Sequence, residues 1–275
     1  SQNQKSYNIG ILISERFLDK YESFYWQMYQ SVATRATAKE CFTMLEVIGM
    51  AEEENGRLPK LVQERKVDGI IVIGKMMDDY LQHLNTEAGI PVIYLDYYNG
   101  REASDSVISN SYYGTYELTY YLYRMGHRKI AYIHGDDTSV TKNRLGSFYR
   151  TLQRLGIEEP DEYVKPSFYR DADLAGERTG ELLDLKDPPT CILYPDDYAA
   201  MGGINEIRER GLRIPEDISV AGYDGINIAQ VLEPKLTTLC QDTAAIGRIA
   251  AERLIELIEH PKTTVIEKYT VDGTL

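Results

Sequence analysis

The stretch Pro188–Asp242, PPTCILYPDDYAAMGGINEIRERGLRIPEDISVAGYDGINIAQVLEPKLTTLCQD, decides the fold of this chain. It contains a strand, a helix and a second strand, and both strands end in carboxylates. CILY runs into Asp196 and Asp197, and ISVAGY runs into Asp224. In an open parallel sheet, ligands bind outside the carboxyl ends of the strands. Two acidic strand ends therefore predict a pocket that accepts hydrogen bonds from a polyol or an amine.

The same alternation of apolar strands and amphipathic helices extends over the whole chain. Strands are predicted at Tyr7–Ile13, Gly69–Ile73 and Lys129–His134, and a helix at Tyr112–Met125 that ends at Gly126. A wholly apolar strand such as GIIVI is typical of a parallel sheet that is covered by helices on both faces. Because the strand–helix rhythm runs through two cycles, the sequence predicts an α/β protein with two doubly wound parallel-sheet lobes.

The composition limits what the chain can do. Its 275 residues are 43% hydrophobic and 27% charged, which is ordinary for a globular protein and enough for two cores. The net charge is -13 and no basic run is present, so this stretch is not expected to bind DNA itself, since phosphate backbones need Lys/Arg-rich surfaces. No apolar run approaches the roughly 20 residues of a membrane span. The first residues show no signal core, from which we expect a cytoplasmic protein.

Motifs of catalysis and of metal binding are missing from the sequence. The three cysteines, Cys41, Cys191 and Cys240, are scattered and show no CxxC or Cys/His spacing. We find no GxSxG or HExxH motif and no glycine-rich phosphate loop after a strand. Two adjacent carboxylates could support acid–base chemistry, but no nucleophile or metal cluster accompanies them. We therefore expect no metal, no cofactor and no enzymatic activity.

Several segments resemble the effector-binding domain of the LacI/GalR transcription regulators. YNIGILI at 7–13 is similar to the opening strand of that family, and GHRKIAYI at 126–133 and RIPEDISVAGYD at 213–224 are more specific. The resemblance covers nearly the whole chain. It implies a periplasmic-binding-protein-like fold, a small effector bound in a cleft between two lobes, a homodimer, and an N-terminal helix-turn-helix domain that binds operator DNA. Because the chain starts just before the first strand, we expect the regulatory core without this DNA-binding domain.

The resemblance also implies where the chain passes between the lobes. Three crossovers are expected, near 126–128, 239–242 and 261–264. The expected N-terminal lobe is 7–125 plus 243–260, and the expected C-terminal lobe is 127–240 plus 264–275. The dimer contact is expected on the predicted helices 22–39 and 52–66.

Polar ligand residues are predicted in the C-terminal lobe. Arg144 lies in NRLGSF, which is similar to the family's Arg-Leu-x-Gly-Phe pattern, where the arginine contacts the effector. A guanidinium there can donate a planar pair of hydrogen bonds to hydroxyls or to a carboxylate; the alternative is a solvated surface arginine. Asp224 matches the family's Gly-Tyr/Phe-Asp motif, although it could instead cap the segment that follows. Asp196 stands at another position of ligand contact in the family, whereas Asp197 is expected to cap its helix.

Aromatic ligand residues are predicted in the N-terminal lobe and in two variable loops. Phe24, Tyr25 and Trp26 follow the first strand, where the family places aromatic or small apolar residues at the mouth of the cleft. Aromatic faces can stack on the C–H faces of a sugar ring. Trp26 could equally pack in the core or in the dimer contact. Tyr113 and Tyr169 lie near positions that line the pocket in relatives.

These observations predict a ligand sensor that binds a sugar or a small glycoside and controls operator binding allosterically. The alternative is an extracytoplasmic sugar-binding protein of a transporter, which shares the fold. The RIPEDISVAGYD and GHRKIAYI segments favour the regulator.

Overall fold

The computed structural model describes residues 5–18, 23–98, 104–136, 138–158, 160–261 and 265–275. The strands within them are β1 (Asn8–Ser14), β2 (Phe42–Ile48), β3 (Gly69–Ile73), β4 (Val92–Leu95), β5 (Asp105–Ser109), β6 (Ile130–His134), β7 (Val164–Pro166), β8 (Cys191–Leu193), β9 (Ser219–Asp224), β10 (Thr237–Cys240) and β11 (Lys268–Val271). The α-helices are α1 (Ser23–Ala38), α2 (Met50–Glu54), α3 (Lys60–Gln63), α4 (Asp78–Glu87), α5 (Ser111–Arg124), α6 (Ser139–Arg154), α7 (Ala172–Leu183), α8 (Asp197–Glu209), α9 (Ile228–Val231) and α10 (Thr243–Glu259).

The chain divides into two compact units, each built on one parallel sheet. The N-terminal unit comprises 1–109 and 242–271 and has the strand order β11-β5-β4-β3-β1-β2. The C-terminal unit comprises 110–241 and 272–275 and has the order β10-β9-β8-β6-β7. All named strand pairs are parallel. This confirms the prediction of two parallel-sheet α/β lobes.

Burial follows the apolar sequence pattern. β3 and β4 are buried throughout, as expected for strands with helices on both sheet faces. The C-terminal core joins side chains of β6, β8 and β9 to α7 and α8 on one face and to α5 and α6 on the other. Strand β2 is different: it lies at the sheet edge and leaves four apolar side chains, Phe42, Met44, Leu45 and Val47, between 38% and 68% exposed.

Two expected unit boundaries need correction. Helix α5 belongs to the C-terminal unit, because Leu118 and Leu122 are buried in a cluster with Tyr132 and Phe148. Strand β11 belongs to the N-terminal unit, because it pairs with β5 in the register Lys268 with Ser106. The chain therefore passes between units after residues 109 and 271, and not near 126–128 and 261–264. The remaining passage follows residue 241.

The predicted helix 52–66 is two short helices. α2 ends at Glu54, Gly56 follows with a φ of 64°, and α3 begins only after Pro59. Glycine in this left-handed conformation ends a helix. The sequence pattern also predicts a helix at Arg144–Leu155. In the structure this helix, α6, begins earlier, at Ser139, because the Thr138 hydroxyl accepts a hydrogen bond from the Thr141 amide and caps it.

Candidate functional site

A polar cluster lies at the carboxyl ends of the strands in the C-terminal unit. Arg144 projects from α6 and is only 3% exposed. Its Nη1 donates to the carbonyl oxygen of Pro195, which follows β8, at 2.8 Å. Its guanidinium carbon lies 3.6 Å from the centre of the Tyr223 ring on β9, a close cation–π contact. The predicted surface alternative for Arg144 is therefore wrong in this structure.

Arg144 is a buried cation without a complete set of partners. Its Nε is shielded from solvent and has no acceptor among the described residues. None of the described carboxylates lies within 4.0 Å of its nitrogens. Buried polar groups are almost always hydrogen-bonded, so an open donor here indicates a place for a bound acceptor.

Asp224 is held in a strained position beside this cation. It ends β9 with a φ of 104°, and strained non-glycine residues concentrate at functional sites. Its Oδ1 accepts a hydrogen bond from Nε2 of Gln241, which follows β10, at 2.5 Å. Burial raises the pKa of Asp224 well above its ordinary value; Arg144 opposes the rise and the negative charges of Asp196 and Asp197 add to it. The alternative role of Asp224 as a helix cap is absent, since α9 has no side-chain cap.

The prediction that Asp197 caps α8 is wrong, because Asp196 takes this position. Asp196 is the N-cap of α8: its Oδ1 accepts from the Ala199 amide at 2.9 Å and its Oδ2 from the Arg170 amide at 2.7 Å. Both of its oxygens therefore already have backbone donors. The sequence could not separate the two aspartates, because the cap depends on which residue has extended backbone and this is set by the turn after β8.

Asp197 joins strand β10 to the loop that follows β9. Its Oδ1 accepts from the Thr238 hydroxyl at 2.6 Å and its Oδ2 from the Ile226 amide at 2.9 Å. The side chain is inaccessible to solvent. Burial raises the pKa of Asp197 to about 7, and the nearby Asp196 contributes to the rise.

Tyr169 lies beside Arg144 in this cluster, and its role in ligand binding stays a prediction. Its ring centre lies 5.6 Å from the guanidinium carbon of Arg144, and its hydroxyl is 2.8 Å from the Thr141 hydroxyl. The ring fits against Gly135: a Cβ at that glycine would lie 2.4 Å from the ring. Gly135 is therefore required for the position of Tyr169.

Sequence reasoning missed several members of the cluster. Tyr223, Tyr132, Thr141 and Gln241 were not singled out. The position of Gln241 could have indicated its role, because Gln241 follows strand β10 just as Asp224 ends strand β9. The two strands are parallel and pair Cys240 with Asp224, so both residues lie at the same edge of the sheet. Tyr132 is buried below Arg144, and its pKa is raised by burial against the opposing effect of that arginine.

The predicted aromatics of the N-terminal unit fall into two groups. Phe24 and Tyr25 are 4% and 7% exposed, and the Tyr25 hydroxyl donates to Asp96 Oδ2 at 3.0 Å. The ring centre of Phe17 lies 4.8 Å from that of Tyr25, so an aromatic pair lies at the ends of β1 and β4. Trp26, in contrast, is 44% exposed and stacks on Tyr29, with ring centres 4.8 Å apart. Its role in ligand binding stays a prediction.

Tyr113 is not part of the cluster around Arg144 in any contact recorded for the described residues. It is 39% exposed, and its ring centre is 6.2 Å from that of Tyr116. A hydrogen bond to Glu117 raises its pKa. Its assignment to a ligand site also stays a prediction.

The described part of the chain contains no group of three or more His, Cys, Asp or Glu residues that could hold a metal ion. It also contains no helix that is long and apolar enough to cross a membrane. The cluster around Arg144 therefore offers a ligand three kinds of group: one buried cation, one carboxylate and the flanking tyrosine rings.

Comparison with known families and curated proteins gives consistent matches. Residues 119–272 match the periplasmic binding protein-like domain. The chain is 29% identical to the HTH-type transcriptional repressor PurR of Aliivibrio salmonicida, covering 95% of this chain and 78% of that protein. It is 30% identical to the PurR repressor of Aliivibrio fischeri, covering 91% and 74%. The ribose operon repressor of Haemophilus influenzae is 33% identical, covering 75% and 63%. The chain thus spans 60% to 78% of the length of the curated relatives it matches.

Solved structures show the same fold. The CelR transcriptional regulator in complex with cellobiose has a TM-score of 0.86 at 25% identity, covering 97% of this chain and 82% of that one. A LacI-family regulator of Enterococcus faecium with bound ribose has a TM-score of 0.80 at 25% identity, covering 97% and 95%. The lac repressor dimer bound to operator has a TM-score of 0.83 at 23% identity, covering 99% and 93%.

Proposed function

The chain belongs to the LacI/GalR family of transcription regulators, and from this membership we propose that it is a ligand-sensing regulatory core whose small effector binds at the Arg144–Asp224 cluster. The relatives and structural neighbours are non-enzymatic regulators. The transporter alternative is not favoured, because the curated relatives named above are repressors. The protein would act in the cytoplasm, where operator DNA is available.

The buried Arg144 is the observation that carries the proposal. A guanidinium that is 3% exposed, with an unsatisfied Nε and no close carboxylate among the described residues, is stabilised by a bound acceptor. Asp224 provides an acceptor beside it. Together they suit a neutral polar ring, which can accept hydrogen bonds from Arg144 and donate to Asp224.

A sugar or small glycoside is the first candidate effector. Vicinal hydroxyls match the planar donors of Arg144 and the acceptors of Asp224, and the Tyr169 ring offers an apolar face. The regulators solved with cellobiose and with ribose share this fold at 25% identity.

A purine base is the second candidate. The repressors named PurR, at 29% to 33% identity, favour this class. A purine could stack on tyrosine rings, accept from Arg144 and donate an N–H group to Asp224.

A binding screen tests the proposal and separates the two classes. Monosaccharides, disaccharides and purine bases would be added to the purified chain, and the shift in its unfolding temperature measured. Any binder would then be titrated by calorimetry against Arg144→Ala, Arg144→Lys and Asp224→Asn. We expect each variant to weaken binding at least tenfold, while Arg150→Ala, an exposed arginine on the same helix, leaves it unchanged.

The outcomes are distinct. Stabilisation by sugars alone supports the first candidate, and stabilisation by purines alone contradicts it in favour of the second. Full binding by folded Arg144→Ala and Asp224→Asn, with folding checked by circular dichroism, would place the effector elsewhere.

We further propose that the chain forms a homodimer and that effector binding changes how attached DNA-binding domains fit an operator. The effector can act only through different affinities for two conformational states. The exposed apolar strand β2, with the helices on either side of it, supports a dimer contact on the N-terminal unit. Operator binding would depend on an N-terminal helix-turn-helix domain.

A further inference from the structure

The loop between β7 and α7 carries Tyr169 to its place beside Arg144. This loop comprises residues 167–171, which belong to no strand or helix. Its first amide, that of Ser167, donates to the carbonyl oxygen of His134 on β6 at 2.8 Å. Beyond this point the loop leaves the sheet, so the contacts of individual side chains decide where the Tyr169 ring lies.

Two carboxylates from other segments bind the amides of this loop. Oδ2 of Asp196, at the start of α8, accepts from the Arg170 amide at 2.7 Å, and this carboxylate is only 1% exposed. Oδ1 of Asp136, after β6, accepts from the Tyr169 amide at 3.3 Å, but this side chain is exposed. Hydrogen bonds to a charged group are stronger in buried surroundings. Asp196 therefore provides the main hold on the loop, and Asp136 provides a weaker one.

Arg170 has a backbone conformation that depends on such support. Its φ is 60°, in the left-handed region that residues with a Cβ adopt infrequently. The amide that Asp196 binds belongs to the peptide that joins Tyr169 to Arg170, so the hydrogen bond fixes the plane of this peptide. Without it the peptide could rotate, and the Tyr169 side chain would move with it.

Both oxygens of Asp196 are engaged with backbone amides. Oδ1 accepts from the Ala199 amide at 2.9 Å and caps α8, while Oδ2 binds the loop. Burial raises the pKa of Asp196, and the amides of Ala199 and Arg170 oppose the rise, so both hydrogen bonds stabilise the carboxylate form. One buried carboxylate thus links the start of a helix to the loop that carries Tyr169.

The fit of the Tyr169 ring makes this link consequential. The ring lies against Gly135, its hydroxyl is 2.8 Å from the Thr141 hydroxyl, and its centre is 5.6 Å from the guanidinium carbon of Arg144. A rotation of the loop would withdraw the ring from all three neighbours at once.

We propose that Asp196 is a positioning residue for effector binding: it holds the peptide before Arg170 and so keeps the Tyr169 ring beside Arg144. The inference rests on the proposed function, because it concerns the same effector cluster. It differs from the direct ligand contact that the family resemblance implies for this position, since the oxygens of Asp196 already serve the backbone.

Asp196→Asn separates the two tasks of this side chain. Asparagine is as good an N-cap as aspartate, so its carbonyl oxygen can keep the Ala199 amide. Its amide nitrogen is only a donor and cannot accept from Arg170. Asp171→Asn is the matched control, because Asp171 lies in the same loop and accepts from one amide, that of Leu174, which asparagine can also serve.

Nuclear magnetic resonance without any effector tests the hold on the loop. In the parent chain we expect a nuclear Overhauser effect between the Tyr169 ring protons and the Hα protons of Gly135. In Asp196→Asn this effect should be lost and the Arg170 amide should exchange at least about tenfold faster, while the Ala199 amide stays protected. Asp171→Asn should resemble the parent chain, and Asp136→Ala should show a smaller change than Asp196→Asn.

A double-mutant cycle with the effector found in the screen tests the role in binding. We expect Asp196→Asn to weaken binding about tenfold in the parent chain and by less than about twofold in the Tyr169→Ala background. The difference arises because a residue that acts only through Tyr169 has nothing left to position once that ring is gone. Asp171→Asn should stay within about twofold of the parent chain.

Two results would overturn the proposal. One is a Tyr169–Gly135 Overhauser effect and an Arg170 exchange rate in Asp196→Asn that match those of the parent chain. The other is an equal loss of affinity from Asp196→Asn in both backgrounds, which would make Asp196 a direct effector contact or a general support of the fold. Neither result affects the proposed function, which fails instead if the parent chain binds no effector or if Arg144→Ala binds it fully.

Discussion

Single residues in the C-terminal unit combine burial with unsatisfied hydrogen-bonding capacity. Arg144 is inside the protein and still has an open donor, while Asp224 has a backbone conformation that few non-glycine residues adopt. Such features cost folding free energy, of the order of 1–3 kcal/mol each. Their presence side by side is the reason to assign binding to this cluster.

The raised pKa of Asp197 predicts how the unfolding free energy of the C-terminal unit depends on pH. Its pKa is about 7 in the folded chain against an ordinary value of 3.8, so the folded state holds this proton more tightly than the unfolded state. The corresponding stabilisation is complete below the unfolded pKa and is lost as pH rises through the folded pKa. It amounts to roughly 4 kcal/mol at most. We expect the unfolding free energy of the C-terminal unit to fall as the pH rises from about 4 to about 7, and to fall less in Asp197→Asn.

Hydrogen exchange of amides in β9 measures this dependence within the C-terminal unit. Asp217→Asn is a control with the opposite pH dependence. The hydrogen bond with Arg213 lowers the pKa of Asp217, so the contribution of Asp217 to stability is lost as the pH falls. The prediction is wrong if Asp197→Asn and the parent chain lose protection equally as pH rises.

A substitution at Gly135 should weaken effector binding while the chain still folds. In Gly135→Ala the new methyl group meets the Tyr169 ring, which must move away from Arg144. We expect roughly tenfold weaker effector binding, equivalent to about 1.4 kcal/mol, with a native circular dichroism spectrum. Gly146→Ala on α6 has open space around its Cβ and should leave affinity unchanged. Equal affinities of the two variants in calorimetry would contradict the role given to Tyr169.

At the scale of elements, helix caps and strand ends place the site. The Thr138 cap starts α6 five residues earlier than the sequence pattern indicates, and Arg144 therefore lies in the second turn of that helix. Parallel pairing of β9 with β10 brings Gln241 beside Asp224. The carboxyl edge of the sheet was predictable from alternating strands and helices, whereas these local contacts depend on neighbouring elements.

Strand β2 predicts self-association of the N-terminal unit. Leu45 and Val47 are 38% and 44% exposed on β2, which is the edge strand of its sheet, and such edges are usually covered or charged. We expect Leu45→Lys and Val47→Lys to shift the chain from dimer to monomer in sedimentation velocity. Val231→Lys, at a 76% exposed apolar residue of the C-terminal unit, should not. An unchanged dimer in both β2 variants would move the contact to another face.

At the scale of the whole molecule, each unit is assembled from segments far apart in the chain. In the N-terminal unit, Arg253 of α10 donates to Asp105 of β5, and both side chains are 5% exposed. Asp105 also accepts from the Glu267 amide at 3.1 Å. One buried carboxylate thus joins three segments that are remote in sequence.

This ion pair predicts a large difference between two otherwise similar substitutions. Asp105→Asn removes the charge of one partner, while Arg253 keeps its ion pairs with Glu256 and Glu267, and we expect the unfolding free energy to fall by about 1.5–3 kcal/mol. Asp187→Asn breaks the exposed pair with Lys129 and should cost less than about 1 kcal/mol. The Asp105 pair lies in the N-terminal unit and the Lys129–Asp187 pair in the C-terminal unit. Urea unfolding followed by far-ultraviolet circular dichroism, which reports on the helices of both units, measures both losses. Comparable losses of unfolding free energy in the two variants would show that Asp105 does not stabilise the contact between these segments.

The sequence by itself determined the α/β class, the parallel strands, the carboxyl edge as the place of the candidate site, and Arg144, Asp224 and Tyr169 as candidate residues. The class and the strands follow from the periodicity of the sequence, and the candidate residues follow from segments that resemble the LacI/GalR family; both kinds of signal are local. Only the tertiary structure decided which aspartate caps α8, which unit takes α5 and β11, and that Arg144 is buried against Tyr223. The physical reason is that caps, strand partners and burial depend on contacts between residues remote in the chain, and a local pattern does not record them.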